Sequence, residues 1–185
     1  MKRLIAALLA GLTLFALVGC SAGSKADSAA PKDYSQILHD ARTDEDNEYD
    51  MIFTKGEDGK FTAVDGYSAE YEAGQLDDEV RNLMLPLLNL EDDMYTDLAA
   101  SVSSMMVRSY AVAIVKPAEG KTQDVVDAMD AYVQSQQKSM EHYLEDQYQI
   151  ASAARVATVP TGEVVMVCCE DSDTVFENIK KALAA

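Results

Sequence analysis

The sequence predicts an α+β domain in which a small, mostly antiparallel sheet packs against a long helix and a C-terminal helix, with helical additions towards the N-terminus. Three stretches carry that expectation. Residues 110–116, YAVAIVK, form a β-rich run closed by Pro117 and Gly120. Residues 122–144 then repeat apolar or semi-apolar side chains at three and four, through Val125, Met129, Tyr132, Val133, Met140, Tyr143 and Leu144. Two further apolar runs, 154–159 and 164–169, flank Pro160, Thr161 and Gly162, which makes them antiparallel neighbours. Strand, long helix, hairpin and closing helix suit a sheet covered by helices on at least one face. Strands are therefore expected near 110–116, 154–159 and 163–169.

The remaining elements follow in chain order. After Asp33, the side chains of Tyr34, Ile37, Leu38 and Ala41 recur at helical spacing and predict a short amphipathic helix. Residues 50–64, DMIFTKGEDGKFTAV, place two alternating runs around Gly56 and Gly59, a hairpin whose attachment to the main sheet the sequence leaves open. A helix beginning near Leu76 carries Val80, Leu83, Met84 and Leu87 on one side and is kinked or ended by Pro86, which lacks a backbone donor. Another helix is expected from Glu91, with acids at its start and Met94, Leu98 and Val102 inward. Thr122 is the expected N-cap of the long helix. The chain closes on a helix from about Asp173, with Val175, Phe176, Ile179 and Leu183 inward and Lys180 and Lys181 near its negative end.

The N-terminus supplies an expected address. Lys2 and Arg3 precede an apolar stretch broken only by Gly11 and Thr13, the layout of a secretory signal peptide over residues 1–19. Its ending, Leu17-Val18-Gly19-Cys20, resembles a bacterial lipobox, in which the cysteine receives a diacylglycerol. Residues 20–32 then hold the lipidated Cys20 and a small, polar linker, SAGSKADSAAP, that suits a flexible tether. Residues 33–185 are read as a single globular domain, anchored by acyl chains at the extracytoplasmic face of the cell membrane.

Charge removes one class of partner. Taking Lys2 and Arg3 from 15 basic residues leaves 13 against 32 acidic ones, a balance of −19 that repels phosphate backbones. Nucleic acid is therefore excluded as a partner. Asp44-Glu45-Asp46-Asn47-Glu48, Asp77-Asp78-Glu79 and Glu91-Asp92-Asp93 are read as solvated surface, since a calcium loop starting at Asp44 would need glycine where Tyr49 stands.

The order of YAVAIVKP, a helix running into QKSMEHYLEDQYQIASAARV, then GEVVMVCCED and a closing helix resembles a family of small bacterial lipoproteins defined by domain of unknown function 4358. The resemblance covers about residues 76–183, and its motifs are structural. It implies a Gram-positive source, and a bend or break in the long helix near Glu145, where relatives often carry proline. It also implies that the strand holding Cys168 and Cys169 usually carries other small or apolar residues, so a family-wide function does not rest on these thiols.

Candidate chemistry is sparse. His142, with Glu145 and Asp146 one helical turn ahead, is the candidate metal site, although a catalytic zinc site normally draws on three protein ligands and the other histidine, His39, is distant in sequence. The chain lacks a Gly-x-Ser-x-Gly elbow, a Gly-x-Gly-x-x-Gly turn and a P-loop, and the serine run Ser101 to Met106 has neither a nearby histidine nor a Ser-x-x-Lys pattern, so no catalytic residue and no cofactor is assigned. Successive strand residues point to opposite faces. One of Cys168 and Cys169 should therefore join Val164 and Met166 and the other Val165 and Val167, both as reduced core residues. The expected function is a membrane-anchored lipoprotein with a non-enzymatic binding or surface-structural role towards a protein or small-molecule partner. The alternatives are a carboxylate-dependent hydrolase and a metal-binding module.

Overall fold

The computed structural model describes residues 32–72 and 74–185. The expected signal peptide over residues 1–19, Cys20 and the expected linker as far as Pro31 lie outside the described residues. Helix α1 (Tyr34–Ala41) starts where the Asp33 carboxylate accepts a 3.0 Å hydrogen bond from the Gln36 amide, and α2 (Asp44–Tyr49) starts on Thr43, whose hydroxyl accepts from Asp46 N at 3.1 Å. The hairpin of β1 (Ile52–Lys55) and β2 (Phe61–Val64) follows, turning through Gly59 at φ 78°. Residues 75–87 form one interrupted helix: α3 (Gln75–Glu79), a π-turn (Val80–Met84) and α4 (Leu85–Leu87). The widened turn lies just ahead of Pro86, where a regular turn would bring the ring against a carbonyl.

Then come β3 (Tyr95–Val102), β4 (Ala111–Pro117), α5 (Thr122–Met140), α6 (Glu145–Ser152), β5 (Arg155–Thr158), β6 (Val164–Cys168) and α7 (Ser172–Leu183). The six strands form one antiparallel sheet in the order β2-β1-β3-β4-β6-β5. Its two faces bury separate cores. Leu98, Ala100, Ala113, Val115, Val164 and Met166 pack with Val80, Leu88, Met129 and Tyr132 under α3–α5. On the opposite face Ile52, Ala99, Val112, Ile114, Val165 and Val167 pack with Leu38 of α1 and with Phe176, Ile179 and Leu183 of α7. The long helix and the C-terminal helix thus cover opposite faces.

Three expectations are corrected. Residues 91–102 do not form a helix: Tyr95–Val102 is strand β3, paired along its length with β4. Met94, Leu98 and Val102 fall at a spacing of four, which fits a helix and also keeps them on one side of a strand. The burial of Ala99 on the other face decides for the strand. Since β1 pairs with β3, that strand also joins the 50–64 hairpin to the main sheet. Secondly, Thr122 is the first helical residue and Lys121 the cap. Thirdly, the helical repeat does not run on to Tyr143 and Leu144: the long helix ends at Met140, Tyr143 is exposed and Leu144 takes an extended backbone before α6, which is the break that the resemblance implied near Glu145.

Adjacent Cys168 and Cys169 divide between the two cores as the pleat requires. Cys168 joins Val164 and Met166, Cys169 joins Val165 and Val167, and both are free and buried. Burial pushes each thiol from 9.0 up to about 12. Neither is a thiolate at neutral pH, and thiolate is the form that reacts or binds soft metals.

Candidate functional site

A cavity of about 740 Å³ opens where α2, the β3–β4 connection, α6 and the end of β6 meet. Each wall has a local cause. The Thr43 cap and the acids in the first turn of α2, favoured by the positive end of the helix, set Asp46 and Asp50 one turn apart on the side that faces the sheet. The β3–β4 connection is closed by Ser103 N donating to Tyr110 O at 3.0 Å, and it carries Met105, Met106 and Val107 outward, Met106 at 90% exposure. From α6, Gln147 Oε1 accepts the Ser109 amide at 2.8 Å and holds the end of that connection. Cys169 and Glu170 complete the wall at the end of β6.

The centre of the site is an ion-pair cluster. Arg108 Nη1 donates to Asp50 Oδ1 at 2.8 Å and lies 2.8 Å from Oδ2, its Nη2 is 3.4 Å from Asp46 Oδ1, and its guanidinium carbon stands 4.3 Å from the centroid of the Tyr110 ring. Burial pushes the Asp50 carboxyl up, more than the ion pair with Arg108 pulls it down. Beneath it Arg42, whose side chain is 0% exposed, donates to Tyr110 Oη at 3.0 Å, to Asn47 Oδ1 at 2.7 and 3.0 Å and to Asp50 O at 3.2 Å. Its Nη2 also reaches Asp65 Oδ2 at 3.3 Å, an oxygen shared with His39 Nδ1 at 2.8 Å. Two arginines therefore hold the site's floor, and each is already hydrogen-bonded within the protein.

The sequence expectations meet this geometry unevenly. The run 44–48, read as solvated surface, turns Asp46 inward, with its side chain only 15% exposed. His142 lies in the break between α5 and α6 with its side chain 88% exposed, 3.8 Å from Glu141. Glu145 and Asp146 instead accept hydrogen bonds from Gln149 and Gln147 on their own helix. The helical spacing that would join them to His142 is lost at the break, and among the described residues no three His, Cys, Asp or Glu gather as a metal site. Gln147, one residue further on, is the α6 side chain that supports the cavity. Arg42, Arg108 and Tyr110 had no sequence signal, because their partners are brought up by folding from up to 68 positions away. A second hollow of about 620 Å³ lies along β2, between Phe61 and Tyr71, and among the described residues holds no buried polar side-chain atom without a partner.

A family model described as Domain of unknown function (DUF4358) matches residues 67–169, from Tyr67, which lines the cavity, through both central strands and α5 to Cys169. The match begins earlier than residue 76 and stops before α7. No curated protein and no solved structure matches the chain.

Proposed function

The chain belongs to the family described as Domain of unknown function (DUF4358), and from that premise we propose that it is a ligand-binding lipoprotein, held at the extracytoplasmic face of a bacterial cell membrane by acylated Cys20. The observation that carries the binding role is the 740 Å³ cavity. Its charged floor is prearranged by ion pairs, its wall also carries aromatic and apolar side chains, and a largely preformed hollow of this size and mixed lining is what small ligands occupy. Support for the anchor comes from the lipobox-like ending at Cys20 and the polar linker behind it. A Gram-positive source is part of the same proposal and rests on the family resemblance.

One observation favours a second reading as a carboxylate-dependent hydrolase: Asp50, with its carboxyl pushed up, borders the cavity. Arg108 lies against both oxygens of that carboxylate. A base in that position would have to leave its ion pair to take a proton, so binding is the better account of the geometry. The anchor is tested by Cys20→Ser in intact cells. The variant is expected to move from the membrane fraction to the soluble fraction, and unchanged membrane retention would refute the lipid attachment.

A further inference from the structure

We infer that the ligand of this cavity is a small organic ammonium ion with an apolar body, an inference that rests on the binding reading above and specifies the chemistry of the same site. Three independent features of the wall point that way. The first is charge. Glu45, Asp46, Asp50 and Glu170 line the cavity with Arg108 as the one cation of the wall among the described residues, while Arg42 beneath the floor is paired with Asp65. Both terminal nitrogens of Arg108 are engaged with carboxylates, and Tyr110 covers one of its faces. Arg108 is therefore not a free anion receptor, and the site's surplus charge is negative.

The second feature is aromatic. Tyr49 and Tyr67 border the cavity with about half of each residue exposed, 49% and 55%, and ring faces beside carboxylates are the usual seat of an alkylammonium group. The third is an unmet polar atom. Ser109 lines the cavity at 1% exposure, and its Oγ has no hydrogen-bond partner, whereas its backbone amide is fixed by Gln147. The protein leaves this hydroxyl without a partner, and a ligand ammonium or hydroxyl group that reached it would supply one. Met105, Val107 and Ile150 offer apolar wall for the ligand body. Among the described residues no three potential ligands converge on one point as a metal ion requires, so the negative charge is spread around the wall and suits a diffuse organic cation.

The test uses full-length protein in a non-ionic detergent, with choline as the cationic probe, 3,3-dimethylbutan-1-ol as its neutral isostere and butyrate as the anion. Choline is expected to bind at least about tenfold more tightly than the alcohol, and butyrate to show no binding, with salt weakening choline alone. Glu45→Gln with Glu170→Gln, both at exposed positions, should weaken choline about five- to tenfold and leave the alcohol unchanged, whereas Tyr67→Ala should weaken both probes. Equal or tighter binding of the alcohol or butyrate would overturn the ammonium inference while leaving the cavity as the binding site. Displacement of choline by Ca²⁺ at equimolar concentration would reassign the site to a metal ion. Binding of a lysine-rich peptide without choline would reassign it to a protein partner. Failure of every probe and of a neutral fragment library to bind would remove both the inference and the binding reading.

Discussion

Arg42→Met is expected to lower folding stability by about 3–5 kcal/mol, because it removes one member of a buried charged network and leaves the others in place. Asp65 would keep its charge with only His39 beside it, and Asn47 Oδ1, Tyr110 Oη and the Asp50 carbonyl would lose donors. At roughly 2–4 °C per kcal/mol for a domain of this size, the melting temperature should fall by about 6–20 °C. Arg42→Lys should recover little of this loss, since one ammonium does not reproduce a fork that reaches Asn47, Tyr110 and Asp65 together. Lys180→Met removes an exposed pair with Glu177 and serves as the control, with an expected change of under about 1 kcal/mol. Denaturant titration of the three variants measures the differences. A loss from Arg42→Met no larger than that from Lys180→Met would show that the network under the cavity does not hold it in place.

Ala99→Asp should be comparably severe. Ala99 is fully buried on the α1 and α7 face of β3, opposite Ile114 of β4, among apolar neighbours. A carboxylate there would lie among the apolar side chains of that core, and an uncompensated buried charge costs on the order of 3–5 kcal/mol unless it stays protonated. The same substitution tests the element itself. On a helix with Met94, Leu98 and Val102 inward, position 99 would lie off the inner face and tolerate aspartate. On a strand buried on both sides it does not. Wild-type melting behaviour in Ala99→Asp would contradict the strand.

That residue also marks the limit of what the sequence made legible. Strands β4 and β6 are short continuous apolar runs bounded by turn residues, helices α5 and α7 each display a helical period, and their core positions, from Val125 and Tyr132 to Ile179 and Leu183, were readable directly. The alternation of Cys168 and Cys169 followed from the pleat alone. Strand β3 shows no alternation because both of its faces are covered, and its large side chains happen to fall four apart, so local pattern favoured the wrong element. Missing it also hid the place of the hairpin, which reaches the sheet only through β3.

The cavity was less legible for a different reason. Asp46, Arg108, Gln147 and Glu170 sit on four separate segments, and each taken alone looks like ordinary surface polarity on an acidic protein. What makes them a site is the pairing of Arg108 with Asp50 across 58 residues and the support of Arg42 beneath. The acidic run read as solvated surface supplies Asp46 to that cluster, and helix α2, which turns Asp46 inward, was not among the expected elements. Cys169 borders the same cavity, but its thiol is held protonated, so its contribution there is shape.

The most direct test of the binding role is methyl NMR on the full-length protein, following Met105, Val107 and Ile150 during titration with a library of small cationic, neutral and anionic molecules. Ligands are expected to shift all three methyl sets together, and Tyr67→Ala should weaken those shifts while leaving the methyls of Ile179 and Leu183 on the opposite core unchanged. Shifts confined to the hollow beside Phe61 and Tyr71, or no shift at Met105 and Ile150 with any class of molecule, would contradict the assignment of this cavity as the functional site.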